Sequence, residues 1–133
     1  MYLFDTNVLS ELVKRQPSTA LIARLRRTEP YQWNTSVVTM MELRHGAMLR
    51  EDAASFWKKL QESILSKVRV LDFTAKAALK AGELLADLQK RGEPVGMEDV
   101  LIASIALSEN LLLVTRNTRR FERISGLKVE NWF

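Results

Sequence analysis

The chain has 133 residues, and its 47% hydrophobic and 27% charged residues are typical of a folded globular protein. It contains no cysteine and one histidine, which excludes a disulfide framework, a thiolate zinc site, a cysteine nucleophile and a site built from two histidines of one chain. The net charge of +4 is compatible with a polyanionic partner but does not require one. We therefore expect a single domain spanning residues 1–133.

Short apolar runs alternate along the chain with longer segments that carry apolar residues at helical spacing. In chain order, the pattern predicts strand Tyr2–Phe4, helix Val8–Val13, helix Ser18–Thr28, strand Gln32–Ser36, helix Val37–Leu49, helix Ala53–Leu65, strand Val68–Leu71, helix Thr74–Lys90, helix Met97–Ser108, strand Leu111–Thr115 and strand Leu127–Val129. Strands that alternate with helices favour a parallel sheet covered on both faces. The predicted fold class is therefore α/β, a three-layer α/β/α sandwich with a short-stranded parallel sheet.

No segment has the ~18 consecutive apolar residues of a membrane span. The N-terminal residues Met1–Asp5 contain neither a basic region nor a cleavage site of a secretory signal. We therefore expect a cytoplasmic protein that does not contact a membrane.

Polar residues from distant segments are predicted to meet at one edge of this sheet, where open parallel sheets bind ligands. Asp5 follows the first strand, Glu42 lies in the helix after the second, and Asp99 begins the helix before the fourth strand, which Asn117 follows. Each alone has an ordinary explanation: a helix cap, the capping box Thr39-x-x-Glu42, or a favourable helix dipole. Residues that only cap separate helices are not expected to lie together at one edge of the sheet. Their predicted convergence therefore favours a functional site.

Three carboxylates gathered at one edge would repel one another by roughly 3 kcal/mol per pair at ~5 Å and an effective dielectric constant near 20. Protonation or a bridging cation would relieve this repulsion, and we expect a divalent cation. Oxygen ligands without cysteine or paired histidine suit Mg²⁺ or Mn²⁺ rather than zinc or copper. The predicted chemistry is metal-assisted phosphodiester hydrolysis, in which water attacks phosphorus and no protein nucleophile is needed.

Four segments of the chain, in order, carry a family resemblance. Phe4–Leu12 (FDTNVLSEL) resembles the opening of PIN-domain ribonucleases, and Thr39–Ala47 and Gly96–Ala103 resemble their second and third acidic blocks. Val114–Trp132 is similar to the C-terminal end of VapC-type toxins. The resemblance implies a PIN-like fold and a Mg²⁺-dependent endoribonuclease, usually homodimeric, that is neutralised by a cognate VapB-type antitoxin encoded beside it.

By this resemblance Asp5, Glu42 and Asp99 would be the metal-binding acids, and Asn117 would complete the catalytic site. The chain departs from the pattern at one place, because many relatives carry a fourth acid in the block where this chain has Asn117 and Arg120. An amide oxygen can still bind a cation or hold a water. The departure leaves open whether one or two ions act.

A basic cluster follows the acidic edge. Its arginines, together with two basic residues near the N-terminus, are predicted to bind RNA phosphates beside the cut: Arg116, Arg119, Arg120, Arg123, Lys14 and Arg15. A solvated basic face explains them equally well, and a contact with an acidic partner is an alternative for Arg119 and Arg120. The resemblance places Thr6 near the metal, where it would orient an acid or a phosphate.

The aromatic residues and the histidine have simpler explanations. Trp33, Trp57 and Trp132 are scattered along the chain, which favours packing in the core or at a dimer contact over base stacking. His45 follows Glu42 by three residues, and a packing or surface role is favoured over a general base, because metal-assisted chemistry needs no imidazole.

Three alternative functions remain open at this point. The first is a nucleic-acid-binding regulator without catalysis, in which the carboxylates are structural. The second is a nuclease that acts on DNA or on structured RNA in maintenance. The third is a metal-dependent phosphatase that acts on small phosphate esters.

Overall fold

The computed structural model describes all 133 residues and contains one parallel sheet. Its strands are β1 (Tyr2–Phe4), β2 (Trp33–Ser36), β3 (Arg69–Leu71), β4 (Leu112–Val114) and β5 (Val129–Glu130). They are arranged in the order β3-β2-β1-β4-β5. The chain therefore leaves the central strand β1 first towards β2 and later towards β4, which creates the crevice where α/β sheets bind ligands.

Six helices cover the two faces of the sheet. They are α1 (Thr6–Leu12), α2 (Thr19–Leu25), α3 (Val37–Met48), α4 (Ala53–Leu60), α5 (Ala75–Arg91) and α6 (Met97–Ser108). Successive strand residues point to opposite faces: Leu3 and Leu113 join one core with α5 and α6, whereas Phe4 and Val114 join a second core with α1, α2 and α4. The predicted three-layer sandwich is thus confirmed.

The predicted elements are all present, and they differ mainly at their ends. The predicted helix Ala53–Leu65 is α-helical only to Leu60 and continues as a π-helical turn over Gln61–Leu65. The predicted strand Gln32–Ser36 begins at Trp33, because Pro30–Gln32 forms a 3₁₀ turn. The last strand lies slightly later than predicted, at Val129–Glu130, where it pairs with β4. Helix α5 ends as predicted before Gly92, whose left-handed conformation (φ 67°) caps it.

None of these helices has the length and apolar character needed to cross a membrane.

Candidate active site

Asp5 is the central acid of the site and is completely buried. It directly follows β1 and caps helix α1, with its Oδ1 accepting a hydrogen bond of 2.8 Å from the Thr6 backbone N–H. Its Oδ2 accepts hydrogen bonds from the Thr115 hydroxyl (2.8 Å) and from Asn7 Nδ2 (3.3 Å). Capping of α1 uses only Oδ1 of Asp5. Oδ2 lies at the carboxyl ends of β1 and β4, so helix capping does not account for its position.

Thr115 was not predicted as a site residue, although it holds Asp5 in place. The pairing of Phe4 with Val114 sets the next residues, Asp5 and Thr115, side by side at the carboxyl edge. The Thr115 hydroxyl also accepts hydrogen bonds from Asn7 Nδ2 and from the Asn117 backbone N–H, both 3.1 Å long. A polar residue at the end of an apolar strand was the signal in the sequence that could have identified Thr115.

Arg120 joins Asp5 to Asp99. Asp99 lies in the first turn of α6, and its two oxygens accept hydrogen bonds from Arg120 Nε (3.1 Å) and Nη2. Arg120 Nη1 lies 3.5 Å from Asp5 Oδ2. The prediction that Arg120 belongs to an RNA-facing basic cluster is wrong, because its guanidinium turns inward between two of the acids. The repulsion that we expected a divalent cation to relieve is relieved in this structure by an arginine.

Glu42 approaches the same edge from helix α3. Its Oε1 accepts a 2.8 Å hydrogen bond from the Thr6 hydroxyl, which lies 3.3 Å from the buried Thr39 hydroxyl. Ser36, not Thr39, caps α3, so the capping-box explanation of Glu42 does not hold. Partial burial raises the pKa of Glu42, and the negative charge of Asp5 raises it further, against the lowering effect of the Thr6 hydrogen bond. Thr6 therefore connects Glu42 to the helix start that Asp5 caps.

The other predicted site residues lie at the rim. The Asn117 side chain is exposed and makes no hydrogen bond within the chain. Arg119 is exposed and has no ion pair, which leaves it available to a polyanion. Arg116 instead donates a 3.2 Å hydrogen bond to Glu11 Oε1, and its guanidinium lies 4.2 Å from the centre of the Phe133 ring. Of the two predicted phosphate-binding arginines, only Arg119 is unpaired.

Two connected clefts extend from the site. A cleft of about 240 Å³ is bordered by Thr6 and Glu42. It shares Arg50 with a larger cleft of about 560 Å³, which Lys14 and Lys59 also line. The two clefts together form a channel beside the acidic edge, in which Arg50 is paired with Asp52 and Lys14 with Glu11. Of the cations that line this channel, sequence analysis identified Lys14 only.

The donor set fits a hard divalent cation, although the acids do not surround a common point. Asp5, Glu42 and Asp99 offer only oxygen ligands, as Mg²⁺ and Mn²⁺ prefer. No group of three or more acidic or histidine side chains is arranged to hold a metal ion, with Arg120 lying between Asp5 and Asp99. The position between the two aspartates holds a positive charge, that of the Arg120 guanidinium.

Comparisons with known proteins identify the family and the fold. The PIN domain family profile matches residues 2–127 of the chain. The chain belongs to the PIN-domain family. Among its relatives, this PIN domain is 36% identical over 133 residues to the tRNA(fMet)-specific endonuclease VapC of Shigella flexneri, with 98% of this chain and 97% of the relative covered. It is 35% identical over 131 residues to Ribonuclease VapC2 of Haemophilus influenzae, with the same coverage of 98% and 97%.

Solved structures show the same fold. The PIN domain superposes on a chain of DNA-bound VapBC from Salmonella typhimurium with a TM-score of 0.90 and 33% identity, covering 99% of this chain and 98% of that one. For FitAcB from Neisseria gonorrhoeae, the TM-score is 0.89 and the identity 29%, with 98% and 97% of the chains covered. The predicted family resemblance and PIN-like fold are both confirmed.

Proposed function

We propose that this PIN-domain protein is a metal-dependent endoribonuclease and the toxin of a VapBC-type toxin–antitoxin pair. The observation that carries the proposal is the meeting of Asp5, Glu42 and Asp99, from three distant segments, at the carboxyl edge of the sheet. Relatives that match along the whole chain are named ribonucleases or endonucleases, which supports RNA as the substrate.

The acids would hold Mg²⁺ or Mn²⁺, with Asp5 and Asp99 as the principal ligands and Glu42 beside them. A bound divalent ion would stabilise the negative charge that develops on the phosphoryl and leaving oxygens. The hydroxyl of Thr115 and the backbone N–H of Thr6 fix Asp5 in one orientation. Glu42 Oε1 is held by Thr6, and Oε2 makes no hydrogen bond within the chain, so it is available to orient the attacking water.

The surroundings of the acids are suited to an RNA chain rather than to a small phosphate ester. Arg119 projects unpaired at the rim, and Arg50, Lys14 and Lys59 line the channel next to Glu42. Contacts to the phosphates on either side of the cut would position the strand without reading its sequence. Asn117, exposed beside this rim, is the proposed fourth member of the catalytic site.

Cleavage of matched RNA and DNA oligonucleotides tests this function. We expect Mg²⁺-dependent cutting of RNA and no cutting of DNA, with activity lost in excess EDTA and restored by Mn²⁺. Salt-sensitive binding without cleavage would instead support the non-catalytic regulator, and release of phosphate from mononucleotides would support the phosphatase.

We also propose a VapB-type antitoxin as partner and a homodimer as the assembled toxin. Structural neighbours from Salmonella typhimurium and Rickettsia felis are described as VapBC bound to DNA, which supports a partner of this type. The homodimer rests on the family resemblance.

A further inference from the structure

Arg120 makes the closest contacts of any cation with the acidic side chains of the site. Its Nε and Nη2 bind the two oxygens of Asp99 in the two-pronged geometry that favours strong arginine–carboxylate pairs, and its Nη1 reaches Asp5. One guanidinium therefore lies where a divalent ion shared by the two aspartates would have to bind.

The two aspartates need such a counter-ion. Asp5 is completely buried and the Asp99 side chain is only 13% exposed, so two unpaired carboxylates here would be costly. The guanidinium supplies one positive charge at this position.

Arg120 is placed so that this contact can open. Its side chain is 35% exposed and extends from the short 3₁₀ turn Thr118–Arg120. The neighbouring Phe121 is buried in the core and anchors the turn. Rotation of the long side chain towards solvent would free both aspartates without moving the backbone.

We propose that Arg120 is a positioning residue that competes with the divalent cation for Asp5 and Asp99, and so sets the affinity of the site for metal. This proposal rests on the proposed metal-dependent function. Because two positive groups cannot share one position, the ion binds only the fraction of molecules in which Arg120 has released the aspartates. The site then stays closed at low cation concentration and opens as the concentration rises.

The direction of the effect separates competition from a purely structural role. If Arg120 merely supported the site, its removal would disorder the acids and weaken metal binding. If it competes, its removal leaves two uncompensated carboxylates, which bind the ion more tightly.

Mn²⁺ binding to the metal-free full chain, followed by the electron paramagnetic resonance signal of the free ion, tests this proposal. We expect Arg120→Gln to bind Mn²⁺ at least about tenfold more tightly than the parent protein. Arg119→Gln, which removes the same charge from the adjacent exposed position, should stay within about twofold of the parent, because a solvent-screened charge contributes little. In EDTA, Arg120→Gln should melt on the order of 5 °C lower than the parent. In chelator-free buffer, added Mn²⁺ should raise the melting temperature of Arg120→Gln more than that of the parent.

Each outcome of this titration has a clear meaning. Equal or weaker Mn²⁺ binding by folded Arg120→Gln, with binding by the parent intact, would overturn competition and leave the nuclease proposal standing. Binding by neither protein would overturn both proposals. If Arg120→Gln does not fold, Arg120→Lys keeps the charge but lacks the two-pronged geometry. Competition then predicts that it binds Mn²⁺ more tightly than the parent, and unchanged or weaker binding would refute it.

Discussion

Asp99→Asn should reduce RNA cleavage by on the order of a thousandfold, because it removes one of the negative charges that we propose hold the metal ion, without changing the side-chain shape. The amide oxygen of the variant could still accept one hydrogen bond from Arg120, so the fold should be retained. The measurement is single-turnover cleavage of a short RNA at saturating Mg²⁺, beside a thermal melt that verifies folding.

Glu122→Gln is the matched control for this loss. Glu122 is an exposed acid two residues beyond Arg120 and makes no ion pair, so its neutralisation should leave cleavage unchanged. If folded Asp99→Asn cuts RNA within a few-fold of the parent rate, the assignment of Asp99 to the catalytic centre is wrong.

Trp132→Ala should lower the free energy of unfolding by about 3–5 kcal/mol, the usual cost of truncating a large buried aromatic side chain. Trp132 is 2% exposed, and its ring centre lies 4.9 Å from that of Tyr2 and 5.7 Å from that of Phe4. Its Nε1 donates a 2.7 Å hydrogen bond to Glu130. The substitution thus removes both core packing and the link that ties the C-terminal strand to the central one.

Urea unfolding measures this loss, and Tyr31→Ala provides the comparison. Tyr31 is 74% exposed, so its truncation should change stability by less than about 0.5 kcal/mol. If Trp132→Ala keeps the stability of the parent but binds RNA more weakly, the tryptophan stacks on RNA bases, contrary to the packing interpretation.

The layers of the fold could be predicted because the strands are short and apolar. Leu3 with Phe4, and Leu113 with Val114, serve the two opposite cores that a doubly covered parallel strand requires. The order of the strands could not be predicted, since it depends on pairing between segments far apart in sequence. The π-helical turn over Gln61–Leu65 could not be predicted either, because the spacing of its apolar residues resembles that of an ordinary α-helix.

The acids could be predicted more easily than the groups that hold them. Asp5 and Asp99 stand out because each lies at the junction of a strand or helix with the sheet edge. The inward turn of Arg120 could not be predicted, because arginines in a basic run look alike in sequence whether they face solvent or a buried acid. Only the tertiary position of the 3₁₀ turn decides which one reaches the aspartates.

The ion pair of Arg116 also could not be predicted from the sequence. Its partner Glu11 is only 6% exposed and also lies 3.0 Å from Lys14, so one nearly buried acid pairs with two cations that remain largely exposed. Glu11 follows Val8 by three residues and so lies beside the apolar face of α1, but a carboxylate at such a position is expected to face solvent. The predicted phosphate-binding role of Arg116 therefore competes with an ion pair inside the chain.

The most direct test is an anomalous difference map from crystals of the protein soaked in saturating Mn²⁺. We expect a manganese peak about 2 Å from carboxylate oxygens of both Asp5 and Asp99, with the Arg120 guanidinium withdrawn from between them. A map with no peak at these aspartates, from a protein that still cleaves RNA in Mn²⁺, would contradict the assignment of this acidic edge as the catalytic centre.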